Sequence, residues 1–519
     1  MAQGGSSRVR LIAATLALAL AAPVAADPQK LYAEHCASCH GADRLGGIGP
    51  ALLPSNLERL RKPAATETIA KGRVATQMPG FADKLAPTEI AQLVELVYTH
   101  VDPAPRWGEA EIRASRVVQH APGTLPDRPK FKADPLNLFV AVESGDHHVT
   151  ILDGDRFEPL ARFASRYALH GGPKFSPDGR FVYFASRDGW ISKYDLWNLA
   201  PVAEVRAGLN ARNAAVSGDG RYVLVGNYLP HTLVVLDALD LALVKVIEVK
   251  DRNGRSSRVS AVYDAAPRKS FVAALKDIPE IWEISYDDTA EPIYDGLVHD
   301  YKLKEGIALP GKLNPRRAPL DDVLDDFFFA PGYTYLVGAS REGGQGQVVN
   351  LDVRRRIGTV PLPGLPHLGS GISWQRDGRT VMATPNLKEG TVSVIDLGTW
   401  KVVKEIPTPG PGFFMRSHEN TRYAWVDSMM SASKDTLSII DKQTLEPVGQ
   451  VRPEPGKTLA HVEFTRDGRY ALASLWEMDG ALIVFDAQTF REVKRIPMKK
   501  PVGKYNVYNK ITRSEGTSH

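Results

Sequence analysis

A small all-α class I cytochrome c domain followed by an all-β eight-bladed propeller is the fold class the sequence predicts. Three observations predict it. The run CASCH occupies residues 36–40, a proline-rich stretch begins just past residue 102, and from residue 137 a turn-and-strand pattern returns at intervals of about 40 residues. The 519 residues suffice for two domains with sizeable cores, and 43% hydrophobic with 24% charged residues is a globular composition. Formal net charge is +4, and Arg8 and Arg10 supply two of those charges from a segment expected to be removed. The remaining balance is near neutral and gives no basis for a nucleic-acid partner.

Residues 1–26 read as a secretory signal. The two arginines precede the apolar core LIAATLALALAA (11–22), which is too short to span a bilayer, and VAA (24–26) offers small residues for cleavage before Asp27. No later segment has the length and apolarity of a membrane helix, so stable membrane insertion is not expected. Cys36 and Cys39 are the only cysteines. Such a pair in an exported chain usually means a disulfide, but C-x-x-C-H is the c-type haem attachment signature. The thiols of Cys36 and Cys39 form thioethers to the haem, and His40 ligates the iron from the same side. Zinc would need two further ligands at similar spacing, and the sequence has none. A covalent haem c in an exported protein points to the periplasm.

The cytochrome c domain is expected over residues 27–103. LYAEHCASCHG reads as a first helix running into the haem, and GIGPALL (47–53) as a loop at the haem edge. TEIAQLVELVYTHV (88–101) has Ile90, Leu93, Val94 and Val97 at helical spacing, with Thr88 expected as its N-cap. QMPGF (77–81) presents Met78 in the loop before that helix, the expected second axial ligand; a His/Met pair makes an electron-transfer haem of raised potential. Residues 104–136, with Pro105, Pro122, Pro126, Pro129 and Pro135, read as a linker.

Residues 137–519 carry the repeat. FSPDGRFVYFAS (175–186), VSGDGRYVLVGN (216–227), WQRDGRTVMATP (374–385) and FTRDGRYALASL (464–475) share one pattern, with turn aspartates Asp178, Asp219, Asp377 and Asp467. Their separations of 41, 158 and 90 residues are close to one, four and two blade lengths. Weaker copies begin near Leu138, Arg268, Phe327 and Met415, which brings the count to eight. Hairpins such as GTVSVIDLGTWKVVKEI (390–406) complete four-stranded blades. Eight blades leave a channel wide enough to house a cofactor at one face.

This combination resembles the haem d1 propeller proteins, the cytochrome cd1 family. NLFVAVESGDHHVTILDG (137–154), YALHGG (167–172), RDGWISKYDLW (187–197) and VGKYNVYN (502–509) look like the corresponding segments of that family, and the likeness covers nearly the whole mature chain. Two branches carry a haem c domain: the nitrite reductases, and the dehydrogenase that completes haem d1 by converting a propionate side chain to an acrylate. Alignment sets Lys276 and Asp325 where the reductases have two distal histidines, which argues against nitrite reduction and for the dehydrogenase. The alternatives are a nitrite reductase with rearranged distal residues, or a non-catalytic haem d1 carrier or electron-transfer protein.

The resemblance to the dehydrogenase implies roles for particular residues. His170 matches the proximal ligand of the d1 iron, and His367, on a Pro/Gly-rich loop, a distal ligand. His461 matches the catalytic histidine beside the reacting side chain, and Tyr505 a tyrosine near the same carbons. Arg187 and Arg212 are candidate partners for the carboxylates of haem d1 or its dihydro precursor, and Trp476 is a candidate to stack on the macrocycle. His418 reads as structural, and His147 and His148 as residues of an exposed turn. The implied chemistry has His461 taking a proton from carbon, while electrons leave singly through haem c. The expected partners are the tetrapyrrole substrate, a small periplasmic acceptor (a cytochrome c or a cupredoxin), and a cytochrome cd1 nitrite reductase as recipient of the product.

Overall fold

The computed structural model describes residues 1–2, 27–47, 49–57, 60–73, 78–102, 105–169, 171–294, 308–339 and 344–513. The expected signal lies, from residue 3 onward, outside the described residues. The N-terminal part is built from helices Pro28–His35, Ala37–His40, Pro54–Leu57, Lys62–Lys71 and Pro87–Val97. Leu31, Tyr32, Phe81, Leu85, Ile90, Leu93 and Val97 form their apolar core, with Cys36 and Met78 packed against it. The last helix begins one residue before the expected cap at Thr88. Pro87 takes the first helical position, where its missing N–H costs nothing, and the Ala86 N–H donates to Glu89 Oε2 at 2.8 Å.

The proline-rich segment expected as a linker is not a bare tether. It contains a helix, Glu109–Ser115, and a short strand, Val117–Val118, that pairs with Ala200–Arg206 of the propeller. Ile112 is buried in the cluster formed by the second and third blades, and the Trp107 indole N–H donates to the Arg206 carbonyl at 2.9 Å. Apolar residues spaced between the prolines give this stretch a surface to bury, which proline content alone does not reveal.

Eight blade sheets follow, each with four strands of its own; the Val117–Val118 strand widens the second to five, and a two-stranded sheet of Ile293–Tyr294 with Ala308–Leu309 is inserted in blade four. In chain order the first strands of blades two to eight are Lys174–Phe175, Asn210–Val216, Val259–Ala265, Asp326–Phe329, Ile372–Arg376, Met415–Arg416 and Leu459–Phe464. First strands of neighbouring blades touch one another from blade two through five and from blade seven through eight to one, which places them around the central axis. Blade one is closed by the two ends of the propeller sequence: Pro501–Asn506 supplies its inner strand and pairs antiparallel with Leu138–Glu143. Between blades the cores are layers of fully buried aliphatic and aromatic side chains, including Trp282, Trp425, Phe139 and Phe464.

The repeated turn has a local cause. Gly179, Gly220 and Gly468 adopt φ of 73°, 73° and 72°, the left-handed region that favours glycine. The preceding aspartates accept from a hydroxyl two residues earlier, Ser217 to Asp219 at 2.6 Å and Thr465 to Asp467 at 2.7 Å, and from the N–H of the following arginine. These turns mark one rim of the propeller. The helix Val507–Thr512 lies across the channel at that rim. Asn509 donates to Glu463 Oε1 at 3.0 Å in blade eight, a side chain at Gly179 would strike Val507 beside blade two, and Arg513 donates to Asp264 Oδ2 at 3.0 Å in blade four. The channel is therefore floored on the turn side and opens on the other. No helix among the described residues is long and apolar enough to cross a membrane.

Candidate functional site

Cys36, Cys39 and His40 occupy the end of the first helix and the short helix after it. Neither cysteine is in a disulfide. Burial, and then the neighbouring Cys39, push the Cys36 thiol up to about 11. His40 is buried, and its Nδ1–H donates to the Pro50 carbonyl at 2.8 Å. This leaves Nε2 for a metal, with the ring orientation fixed from behind. Any side chain at Gly49 would strike the His40 ring, at 2.5 Å from Cε1, so the loop there is shaped to that ring. These residues fit a covalent haem c. Met78 is half-buried against the same apolar cluster as Cys36.

The open rim of the propeller gathers most of the other candidates. His170 lies outside the described residues. Its flanks are tied down: Leu169 pairs with Ser186, the Arg187 N–H donates to Ala168 at 3.1 Å, and Gly172 passes so close to Tyr505 that a Cβ would meet the ring at 3.0 Å. Arg187 and Arg212 flank Tyr228 with Lys276. Burial, then Arg212 and Arg73, push the Arg187 guanidinium down to about 10. Burial opposes the charge on Arg212 as well, but Tyr228, Asp326, Tyr263 and Asp325 outweigh it. Burial works to raise the Tyr228 phenol, yet Arg212, Lys276 and Arg187 hold it below its usual value. The cluster concentrates positive charge at a channel mouth, as recognition of carboxylates requires.

Lys276 and Asp325 are joined in a buried ion pair. The two residues expected at the reductases' distal histidine positions thus neutralise each other. Lys276→Met is expected to cost about 3–5 kcal/mol of stability, because it strands Asp325 without this cation, while Lys276→Met/Asp325→Leu recovers most of it. Denaturant titration of the three proteins checks this.

His367 begins a short 3-10 turn, Leu368–Ser370. Its Nδ1–H donates to the Phe413 carbonyl at 2.6 Å, leaving Nε2 available to a metal, and its ring centroid lies 4.1 Å from that of Phe413. Burial holds its imidazole below the usual value. From His367 an aromatic chain runs through Phe413 and Phe414 to His461, 4.7 Å from Phe414, and on to Tyr505, 5.0 Å from His461. Trp476 packs edge-on against Phe414 at 6.0 Å.

His461 sits in a β-bulge. The pairing of Leu459–Phe464 with Tyr470–Leu475 slips between Ala460 and Val462, and His461 takes φ of 52°. The bulge turns this side chain out of the alternation of the strand. Its carbonyl accepts from Lys504 Nζ, and Nδ1 is buried without a hydrogen-bond partner among the described residues. Burial, then Lys504, Arg416 and Lys510, hold the imidazole well below its ordinary value. It is a neutral imidazole with an uncommitted Nδ1. Burial pushes the Tyr505 phenol up to about 12, so it stays protonated.

Asp427 ties this arrangement together. It is fully buried and accepts from the N–H groups of Phe413 at 2.7 Å, Phe414 at 3.1 Å and His461 at 3.4 Å. One carboxylate thus holds the loop behind His367 and the bulge that carries His461. Burial raises it from 3.8 to about 6. A raised carboxyl contributes stability below its unfolded value and loses it as pH rises through about 6, here about 3 kcal/mol. Asp427→Asn is expected to lack that loss, so its melting temperature relative to wild type should rise between pH 4 and pH 7; a pH-independent difference contradicts this.

His418 lies apart from the site, at the turn-side rim. Its Nδ1 accepts from the Asn420 N–H at 3.1 Å, and it abuts Gly468. That is a structural role. His147, in the first hairpin of blade one, packs on Tyr167 at 4.8 Å, and His148 faces Asp146 at 3.1 Å. The cytochrome part meets the open rim: Arg206 donates to the Leu45 carbonyl at 3.2 Å, and Arg73 acts on Arg187.

Residues 133–297 and 308–510 match the cytochrome D1 heme domain family, and residues 23–97 match a cytochrome c oxidase, cbb3-type, subunit III family. The chain is 58% identical to the dihydro-heme d1 dehydrogenase of Pseudomonas aeruginosa, over 98% of this chain and 100% of that one. It is 24% identical to the nitrite reductase of Stutzerimonas stutzeri, over 96% of this chain and 97% of that one. The solved structure of dihydro-heme d1 dehydrogenase NirN in complex with DHE superposes with a TM-score of 0.81, covering 93% of this chain and 100% of that one. By these matches, and by its eight blades, the chain belongs to the cytochrome D1 heme domain family.

Proposed function

We propose that this chain is a periplasmic dihydro-haem d1 dehydrogenase, which oxidises a propionate side chain of its tetrapyrrole substrate to an acrylate. The observation that carries this reading is His461: a buried neutral imidazole whose Nδ1 has no partner among the described residues, packed on Tyr505 beneath a cationic channel mouth. The conversion of –CH2–CH2–COO⁻ to –CH=CH–COO⁻ releases two protons and two electrons. His461 takes the proton from one carbon, the proton from the other passes to water as the second electron leaves, and Tyr505, protonated, borders the same carbons. His367 and His170 hold the substrate iron, Arg187 and Arg212 its peripheral carboxylates, and Trp476 borders the macrocycle. A haem c held by Cys36, Cys39, His40 and Met78 supplies one-electron transfer, which divides the two electrons into single steps. The acceptor is a small periplasmic cytochrome c or cupredoxin, and a cytochrome cd1 nitrite reductase is the recipient of the product. The Lys276–Asp325 pair favours this reading over nitrite reduction. The test is to give the haem c-loaded protein nitrite with haem d1, and separately dihydro-haem d1 with a one-electron oxidant. Loss of two hydrogens from the tetrapyrrole without nitric oxide formation supports the reading; nitrite-dependent nitric oxide without that loss overturns it.

A further inference from the structure

His461 holds a conformation that its strand does not supply. Among the described non-glycine residues with φ in the left-handed region, it is the one that lies inside a strand; the others lie outside strands. A bulky side chain at such a φ is strained, and the strain persists only where neighbouring groups over-determine the backbone. An extended φ at this position would return the residue to the alternation of Leu459–Phe464 and carry the imidazole away from Tyr505.

Two side chains of opposite charge, from the blades on either side, supply that constraint. Asp427, the last residue of the strand Tyr423–Asp427 in blade seven, accepts from the His461 N–H on Oδ2 at 3.4 Å. Lys504, in the strand Pro501–Asn506 of blade one, donates from Nζ to the His461 carbonyl. The N–H belongs to the peptide before the Cα and the carbonyl to the peptide after it. The two contacts therefore fix both flanking planes, and with them both backbone dihedrals. Each side of this clamp is itself anchored. Asp427 also accepts from the Phe413 N–H at 2.7 Å and the Phe414 N–H at 3.1 Å, and Lys504 Nζ donates to Ser474 Oγ at 3.1 Å, on the strand paired across the bulge. Asp427, Lys504 and Ser474 are each 0% exposed, so water does not compete for these contacts.

Resting on the dehydrogenase reading, we infer that Asp427 and Lys504 are positioning residues for the base: together they clamp the His461 backbone in its left-handed bulge and so fix where the imidazole meets the substrate carbon. Both act through the backbone of His461, not through its ring. Nδ1 of that ring has no hydrogen-bond partner among the described residues, so its aim comes from the backbone and from packing against Phe414 and Tyr505. Proton removal from carbon demands such precision, because a displacement of about 1 Å at a reacting group costs on the order of 10²-fold in rate.

The test measures binding and oxidation separately. Dihydro-haem d1 is titrated by absorbance into the haem c-loaded protein without oxidant, and its oxidation by a one-electron acceptor is then followed by stopped flow. Lys504→Met is expected to bind within about twofold of wild type and to oxidise about tenfold to 10²-fold more slowly. The Lys504 charge opposes protonation of the imidazole. Its removal strengthens the base, and on electrostatics alone would hasten proton removal, so slower oxidation with unchanged binding isolates positioning. Asp427→Ala works from the other side of the residue, is expected to slow oxidation likewise, and keeps the test available if Lys504→Met does not fold. A crystal structure of Lys504→Met should show residue 461 outside the left-handed region, with its ring off Tyr505. If the wild type converts the substrate and the folded variants oxidise it within about twofold of the wild-type rate, the clamp is refuted and the dehydrogenase reading stands. If the wild type neither binds nor converts dihydro-haem d1, that reading fails first, and the crystal structure still decides the clamp: an imidazole that stays on Tyr505 at the same φ refutes it.

Discussion

His461→Gln is expected to leave dihydro-haem d1 bound with nearly wild-type affinity and to slow its oxidation by about 10²–10⁴-fold, the usual contribution of a general base. The separation of binding from turnover is the informative part. His461 reaches Tyr505 and Phe414 with its ring, while its backbone is held by Asp427 and Lys504, so removing the imidazole nitrogen leaves the surrounding framework intact. The pH dependence follows from the sign of the shift. Burial and the cations nearby hold this imidazole well below 6.5, so it is neutral throughout the neutral range. The rate should therefore stay level as pH falls to 6.5 and decline only further down, as the base takes up a proton. A decline centred at or above 6.5 that disappears in the variant would contradict the depressed value. Stopped-flow absorbance over a pH series reads both quantities.

Cys36→Ala/Cys39→Ala is expected to abolish covalent haem attachment and, with it, multiple turnover with a protein electron acceptor. Cys36 caps the short helix Ala37–His40, which carries Cys39 and His40, and the Pro50 carbonyl and the tight loop at Gly49 hold the His40 ring in place. Without the thioethers, only a noncovalent haem on a single axial histidine remains. The propeller fold is expected to persist, because the cores between blades hold none of these residues. Haem staining after denaturing electrophoresis, and steady-state reduction of cytochrome c, measure the two effects. Retained turnover without haem c would show that electrons leave by another route. The contact of Arg206 with Leu45 places the attachment segment against the rim that holds Arg187, as the proposed route requires.

The architecture was legible because it is written locally. The Asp-Gly turns announce themselves through a left-handed glycine, with a hydroxyl two residues before the aspartate in three of the four, and their spacing, with the weaker copies between them, sets the count. The attachment of haem is legible for the same reason, since Cys36, Cys39 and His40 lie within one turn of chain. The centre of the propeller was less so. His461 stood out only against a family likeness, because the bulge that turns it inward depends on a pairing slip against Tyr470–Leu475 that no local pattern signals. Asp427 and Phe413 were missed altogether. Both belong to blade seven, and they reach His367 and His461 in the neighbouring blades only because closure of the ring brings those blades together. The linker went the other way: its prolines concealed a helix that docks through Ile112.

The central claim is that one chain removes two hydrogens from a tetrapyrrole side chain and delivers two single electrons outward. Mixing haem c-loaded protein with dihydro-haem d1 and an excess of a one-electron acceptor, then comparing acceptor reduced with product formed, tests it directly. The account predicts two equivalents of acceptor reduced for each side chain that loses two hydrogens by mass, and neither change in His461→Gln on the same timescale. Full conversion by His461→Gln, or bound dihydro-haem d1 that stays unoxidised in the wild type, would contradict it.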